Sequence, residues 1–209
     1  MFILSSILGA IINKYLYNYY EDYNKILFSD FNSYMVSIIN SIIMTFISMC
    51  NLYNIISNQS WNILSGINQG YLYIDLYRCI KEKDYSMLMH HLFMTFTLFS
   101  PMYIDYLDMK DFNLNYVLSR IYICEFTNVF LHSTIIMYKT DNTENILFKL
   151  CSILTIISYI TLRIYNFTWI EYYLYINEIN ICFILMMPIT LLNYYWFYKL
   201  MKKYFNYNN

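Results

Sequence analysis

His90 and His91 stand side by side in DYSMLMHHLFMTF, residues 84–96, a run otherwise dominated by Met, Leu and Phe. An imidazole buried without a partner is costly, so the pair calls for an explanation in chemistry or in packing. Histidine can serve as acid, base, nucleophile or metal ligand. Consecutive residues of a helix point about 100° apart, so these two rings do not clamp one ion as an i, i+4 pair does. Three histidines in the whole chain are also too few for the histidine-box membrane oxygenases. The five cysteines are widely spaced and contain no CxxC pair, so neither a disulfide framework nor a zinc site is indicated, and no metal or resident cofactor is expected. What remains for the pair is acid–base or nucleophilic work, or satisfaction by neighbours in a packed bundle. Glu125, Asn128 and His132 form a second candidate group. Their spacings of three and four residues put them on one helical face, as a functional stripe or as a hydrogen-bonding ladder between helices.

These side chains must be positioned by membrane-spanning helices. Of 209 residues, 59% are apolar and 13% charged, outside the usual soluble range. Runs able to reach the roughly 20 residues needed to cross a bilayer lie at 33–57, 62–80, 84–104, 114–138, 146–167 and 174–198. A seventh apolar segment, FILSSILGAII near the N-terminus, reads either as a short span or as the core of a signal peptide. Seven spans place ten of the thirteen basic residues on one side, in clusters at Lys14 and Lys25, Arg78 to Lys83, Lys139 and Lys149, and Lys199 to Lys203. The opposite side has only Lys110, while Arg120 and Arg163 fall within spans. The positive-inside rule makes the lysine-rich side cytosolic, with the N-terminus lumenal and the C-terminus cytosolic. The Asn58-Gln59-Ser60 sequon then faces outward, close to the membrane. Gly66 and Gly70, at small-xxx-small spacing, are expected to let two helices pack closely.

Ionisable groups inside a span cost several kcal/mol on insertion scales, about 2.5–3.5 for Arg, Lys or Asp. The candidates are Asp75, Arg78, His90, His91, Arg120, Glu125, His132 and Arg163. Counting residues at 1.5 Å rise puts Asp75, His91 and His132 roughly 8–10 Å deep in the cytosolic half, where they could share one layer. Arg120 and Arg163 fall nearer the other face and are expected to snorkel toward water. Near-zero net charge gives no pull toward nucleic acid, so the expected partners are membrane lipids.

In this order the residues resemble the TLC-domain family, membrane proteins that include the ceramide synthases. The resemblance rests on GYLYIDLY (70–77), KDYSMLMHHLFMT (83–95), ICEFTNVFLH (123–132), TLRIY (161–165) and LLNYYWFYKLMKK (191–203), and spans roughly residues 32–203. It implies an all-α multi-pass bundle with residues 32–203 as the TLC-like domain; residues 1–31, read as an N-terminal span or signal-anchor and short acidic loop, bring the total to about seven spans, and 204–209 form a short cytosolic tail. It also implies residence in the endoplasmic reticulum or another endomembrane. Ceramide synthases, which move an acyl group from acyl-CoA to a sphingoid amine, carry the doubled histidine and a downstream His-Asp followed three residues later by Asp. The doubled histidine carries over to His90 and His91; at the downstream place this chain reads Cys124, Glu125 and Asn128. The EFTNVFL stretch is nearer the smaller, non-synthase members.

Two functions follow. The first is a lipid-homeostasis protein that binds or senses lipids through an intramembrane polar layer containing Asn128, His132, Arg120 and Arg163. The alternative is an acyltransferase with acyl-CoA as co-substrate, in which His90 or His91 takes a proton from the nucleophile and Asp75 or Glu125 orients the ring. An unrelated seven-span receptor or transporter is opposed by the short loops.

Overall fold

The computed structural model describes residues 2–27, 30–104 and 114–207. Among these residues the protein is all helical. The chain runs α1 (Phe2–Ile26), α2 (Phe31–Leu52), α3 (Asn58–Glu82), α4 (Tyr85–Ile104), α5 (Leu114–Ile123), α6 (Phe126–Lys139), α7 (Ile146–Ser158), a π-helical segment (Tyr159–Tyr165), α8 (Asn166–Ile176) and α9 (Asn180–Tyr207). Only the turn at Cys124 and Glu125 separates α5 from α6, and α7, the π segment and α8 follow one another without a break. The described residues therefore form seven rods, the all-α bundle expected. Phe31–Leu52, Ile146–Ile176 and Asn180–Tyr204 are each long and apolar enough to cross a membrane.

The bundle buries many small polar residues beside its apolar core and turns apolar side chains outward. The buried residues of α2 are Ser33, Val36, Ser37, Ser41, Met44, Thr45, Ser48 and Asn51, a stripe at helical spacing made mostly of small polar residues. Its outward face carries Ile42, Ile43, Phe46 and Met49. In water this arrangement would expose apolar surface and desolvate hydroxyls for no return. In lipid it is the stable one, because helices there associate through close packing and side-chain hydrogen bonds rather than by burying apolar area. All three glycines of the chain lie in one seam, between α1 and α3. A Cβ on Gly70 would run into the α1 backbone at Ser6, Gly9 and Ala10, and one on Gly9 into the backbone of Ile67.

With its glycines used there, the chain closes four helix-to-loop turns with left-handed residues that are not glycine: Asn54, Lys83, Asp141 and Glu178. Asn54 and Asp141 adopt this conformation readily, whereas Lys83 and Glu178 each cost about 1–2 kcal/mol against a glycine. Helix starts are capped locally. Ser57 Oγ accepts from Ser60 N, and Asn145 Oδ1 accepts from Leu147 N.

The ends of the rods group as the alternating topology requires. Lys139 Nζ lies 3.1 Å from Asp30 Oδ2, and Lys203 Nζ sits over the Tyr138 ring, so the loop before α2, the end of α6 and the end of α9 share one end of the bundle. At the other end Asn115 Nδ2 donates to Asn58 Oδ1, joining the starts of α3 and α5. Lys110, expected at that second end, lies outside the described residues. Much of the apolar core, including Trp61, Ile170, Leu174, Ile179 and Met186, packs toward this second end, and the buried ionisable residues Asp75, His90 and His91 lie toward the lysine-rich one.

Candidate functional site

Asp75 is the hub of the polar half. It sits on the inward face of α3 and is 2% exposed. Its Oδ1 accepts from Tyr17 Oη at 2.7 Å and from Arg78 Nε at 2.9 Å. His91 Nε2, from α4, lies 2.5 Å from its Oδ2. Arg78 reaches on to Glu82 with Nη1 at 2.7 Å, one turn nearer the lysine-rich end. The depth count that put Asp75 and His91 in one layer corresponds to direct contact in the fold. His90 is equally buried, its ring 5.3 Å from that of His91 and 5.2 Å from that of Trp196 on α9.

The second cluster is built where two helices depart from α geometry opposite each other. At Cys124 and Glu125 the chain tightens: Cys124, Glu125, Thr127 and Asn128 each donate their N–H to the carbonyl three residues earlier. Across from it the π segment widens the helix, and side chains from the turn and from α6 donate to carbonyls in and beside it. Cys124 Sγ donates to Leu162 O at 2.6 Å, and Thr127 Oγ1 to Ser158 O at 3.4 Å. Within the widened turn Arg163 points into the bundle and is 4% exposed. Its Nη2 donates to Asn128 Oδ1 at 2.7 Å and its Nη1 to Asn193 Oδ1 at 3.1 Å. Glu125 Oε2 is 3.8 Å from Nη2 and accepts from Asn128 Nδ2 at 2.5 Å. The buried Asp75 is thus matched by Arg78 and the half-buried Glu125 by Arg163.

Both clusters line a single cavity of about 390 Å³. His90, His91, Glu125, Asn128, His132 and Arg163 all contribute to its wall with Asp75, and the exposed Glu82 and Asp84 bring it to the surface at the lysine-rich end. The expected stripe of Glu125, Asn128 and His132 therefore does face one space. His132 packs its ring 5.1 Å from Tyr34. Three ring nitrogens in the cavity wall, Nδ1 of His90, His91 and His132, are buried and have no hydrogen-bond partner in the protein.

The two arginines separate: Arg163 lies in the polar layer named for it, and Arg120 does not. Arg163 does not snorkel; the π segment and a ring of amides hold it inside the bundle. Arg120 does not join the polar layer and does not line the cavity. Its guanidinium lies 4.1 Å from the Trp169 ring, with Nε on Asn166 Oδ1 at 2.8 Å and Nη1 on Tyr116 Oη at 2.9 Å. Asn166 completes this brace by donating Nδ2 to Arg120 O and to Cys124 Sγ. Arg120→Ala is expected to lower stability by about 1–3 kcal/mol through the lost hydrogen bonds and cation–π contact, without changing any lipid-dependent readout. Unfolding of the purified variant beside a cellular lipid profile checks both halves.

Residues with no sequence signal complete the site. Tyr17 is one of 26 tyrosines, and Asn193 lies in a span whose neighbouring aromatics hide it. A metal could draw only on Asp75, Cys79 and His91, whose ligand atoms lie within 4.8 Å of one another, the one such group among the described residues. Arg78 and Tyr17 already occupy the carboxylate, and the guanidinium supplies the positive charge a cation would bring, so the group reads as an ion-pair network.

Helices with apolar outer faces, three of them long and apolar enough to cross a membrane, define an integral helical membrane protein. The TLC domain family matches residues 24–202, and the chain belongs to that family. No curated protein and no solved structure matches it.

Proposed function

We propose that the protein handles membrane lipids, binding a lipid with its polar part in the cavity between α3, α4, α6 and α9, and so affects membrane lipid composition. The observation that carries this reading is the set of three buried, unpartnered imidazole nitrogens lining one cavity. Buried polar atoms are ordinarily satisfied, and unpartnered ones gathered on the wall of a cavity are suited to a partner that enters it. A lipid carbonyl, hydroxyl, amine or phosphate supplies one. Membership of the TLC family supports the lipid context. We place the protein in the endoplasmic reticulum or a related endomembrane, with the lysine-rich end and C-terminus cytosolic, on the positive-inside rule.

One observation favours a catalytic variant of this reading. The contact between His91 Nε2 and Asp75 directs the ring proton to that nitrogen and leaves Nδ1 as the basic one. That is the arrangement a general base needs to take a proton from an amine or hydroxyl attacking an acyl-CoA thioester. The synthase pattern is incomplete at Cys124, whose thiol serves the Leu162 carbonyl and does not line the cavity.

The test is lipid profiling of cells expressing wild type and the His90→Ala/His91→Ala double variant at equal level. A difference in phospholipid or ceramide composition between them is expected. Identical profiles, both equal to cells lacking the protein, would sink the proposal. A change confined to one N-acylated lipid, with its amine precursor accumulating, would select the acyltransferase.

A further inference from the structure

We infer that α1, most of which precedes the family match at residues 24–202, permanently backs the site from behind α3 and that Tyr17 is a positioning residue, setting Asp75 and through it His91. This rests on the lipid-binding reading above and extends it to a helix that the family domain does not include.

The buried side of α1 begins at the adjacent Ser5 and Ser6 and continues through Gly9, Asn13 and Tyr17 at steps of three and four residues. Its other side presents Ile3, Leu4, Ile7, Leu8, Ile11 and Tyr15 outward. The small residues bring α1 against α3 in parallel register: Ser5 meets Gly66, Gly9 meets Ile67, and Ser6 and Ala10 meet Gly70. Asn13 donates back to Gly9 O, so the seam leaves no unsatisfied amide there. Two turns further along, the same register brings Tyr17 opposite Asp75. The phenol is 9% exposed and donates to Oδ1 at 2.7 Å.

The hydrogen bond divides the work of the carboxylate. Arg78 and Tyr17 both occupy Oδ1, one from within α3 and one from α1, and Oδ2 is left for His91. Arg78 alone would not fix the carboxylate plane, because its own side chain turns on the same helix and also serves Glu82. A donor from a second helix does. Removal of α1 as a cleaved leader would strip Asp75 of this donor and expose the glycine seam, so the N-terminal segment is a retained span rather than a leader.

The test uses the full chain in lipid nanodiscs with ¹³C-carboxylate aspartate. The Asp75 carboxylate stretch is identified in the infrared spectrum as the band lost in Asp75→Asn. Tyr17→Phe keeps the ring and its packing but removes the donor. It is expected to move that band, and to lower labelling by a photoactivatable phospholipid several-fold, approaching His91→Ala, while its thermal midpoint stays within a few degrees of wild type. An N-terminal epitope is expected to remain on the mature protein. An unmoved Asp75 band overturns the inference, as does loss of the epitope. So does wild-type labelling of Tyr17→Phe when His91→Ala labels poorly. If His91→Ala itself labels like wild type, the lipid-binding reading fails, and the band alone decides whether Tyr17 holds Asp75.

Discussion

Asp75→Ala is expected to destabilise the folded bundle by about 3–5 kcal/mol, the cost of breaking a buried ion pair by removing one partner. The carboxylate it deletes is buried and meets Tyr17, Arg78 and His91 from three directions. Arg78 would keep only Glu82, whose side chain is 42% exposed and whose attraction is correspondingly screened. Tyr17 would lose its acceptor, and an unmet buried hydroxyl adds about 1–3 kcal/mol to the penalty. Asp75→Asn keeps the shape and an acceptor oxygen but not the charge, so it should fall between wild type and alanine. Glu82→Ala removes the exposed partner of the same arginine and should cost about 0–1 kcal/mol. Equilibrium unfolding of the four proteins in one detergent gives the ranking. If Asp75→Ala costs no more than Glu82→Ala, Asp75 is not the hub of the polar half.

Gly70→Ala is the second large effect, and its sign is the informative part. In an exposed helix interior this substitution stabilises by about 0.5–1 kcal/mol, because alanine loses less conformational freedom. Here the added methyl meets main-chain atoms of α1 at Ser6, Gly9 and Ala10, and a neighbouring helix backbone cannot rotate away as a side chain can. Overpacking of this kind costs about 1–3 kcal/mol or more. Gly66→Ala should be milder, since the nearest atom to its new methyl is the Ser5 hydroxyl, which can move, although Phe2 O lies only 2.9 Å away. Displacing α1 also withdraws Tyr17, so Gly70→Ala should reproduce the moved Asp75 carboxylate band of Tyr17→Phe on top of its stability loss. A Gly70→Ala protein as stable as wild type would show that α1 does not sit in the seam.

The cavity wall was partly legible from residue spacing. Rise per residue gives depth and rotation per residue gives face, and these two quantities suffice to put Asp75 with His91 and to line up Glu125, Asn128 and His132. They also suffice for Gly66 and Gly70, whose spacing states close packing without naming the partner. They fail where the helix is not an α-helix. The π segment at Tyr159–Tyr165 adds width within a turn, so a residue counted from the end of the span faces somewhere other than expected. Arg163, expected to snorkel, accordingly lies inside the bundle beside Asn128 and Asn193. Arg120 lies on the regular part of the same pair of rods and finds Trp169 and Asn166 instead. Cys124, read from the sequence only as a departure from the synthase pattern, proves to donate its thiol to the Leu162 carbonyl of the π segment.

Composition, span lengths and the lysine distribution, all linear properties, determine a seven-rod helical membrane bundle and the likeness to TLC-domain proteins. Helical period determines which ionisable residues share a face and a depth. Which helices meet is decided only by the tertiary structure, because in lipid every span is apolar enough to pack against any other and specificity lies in steric fit. That fit brings the glycines of α3 against α1, and so selects Tyr17 out of 26 tyrosines to hold Asp75 beside His91.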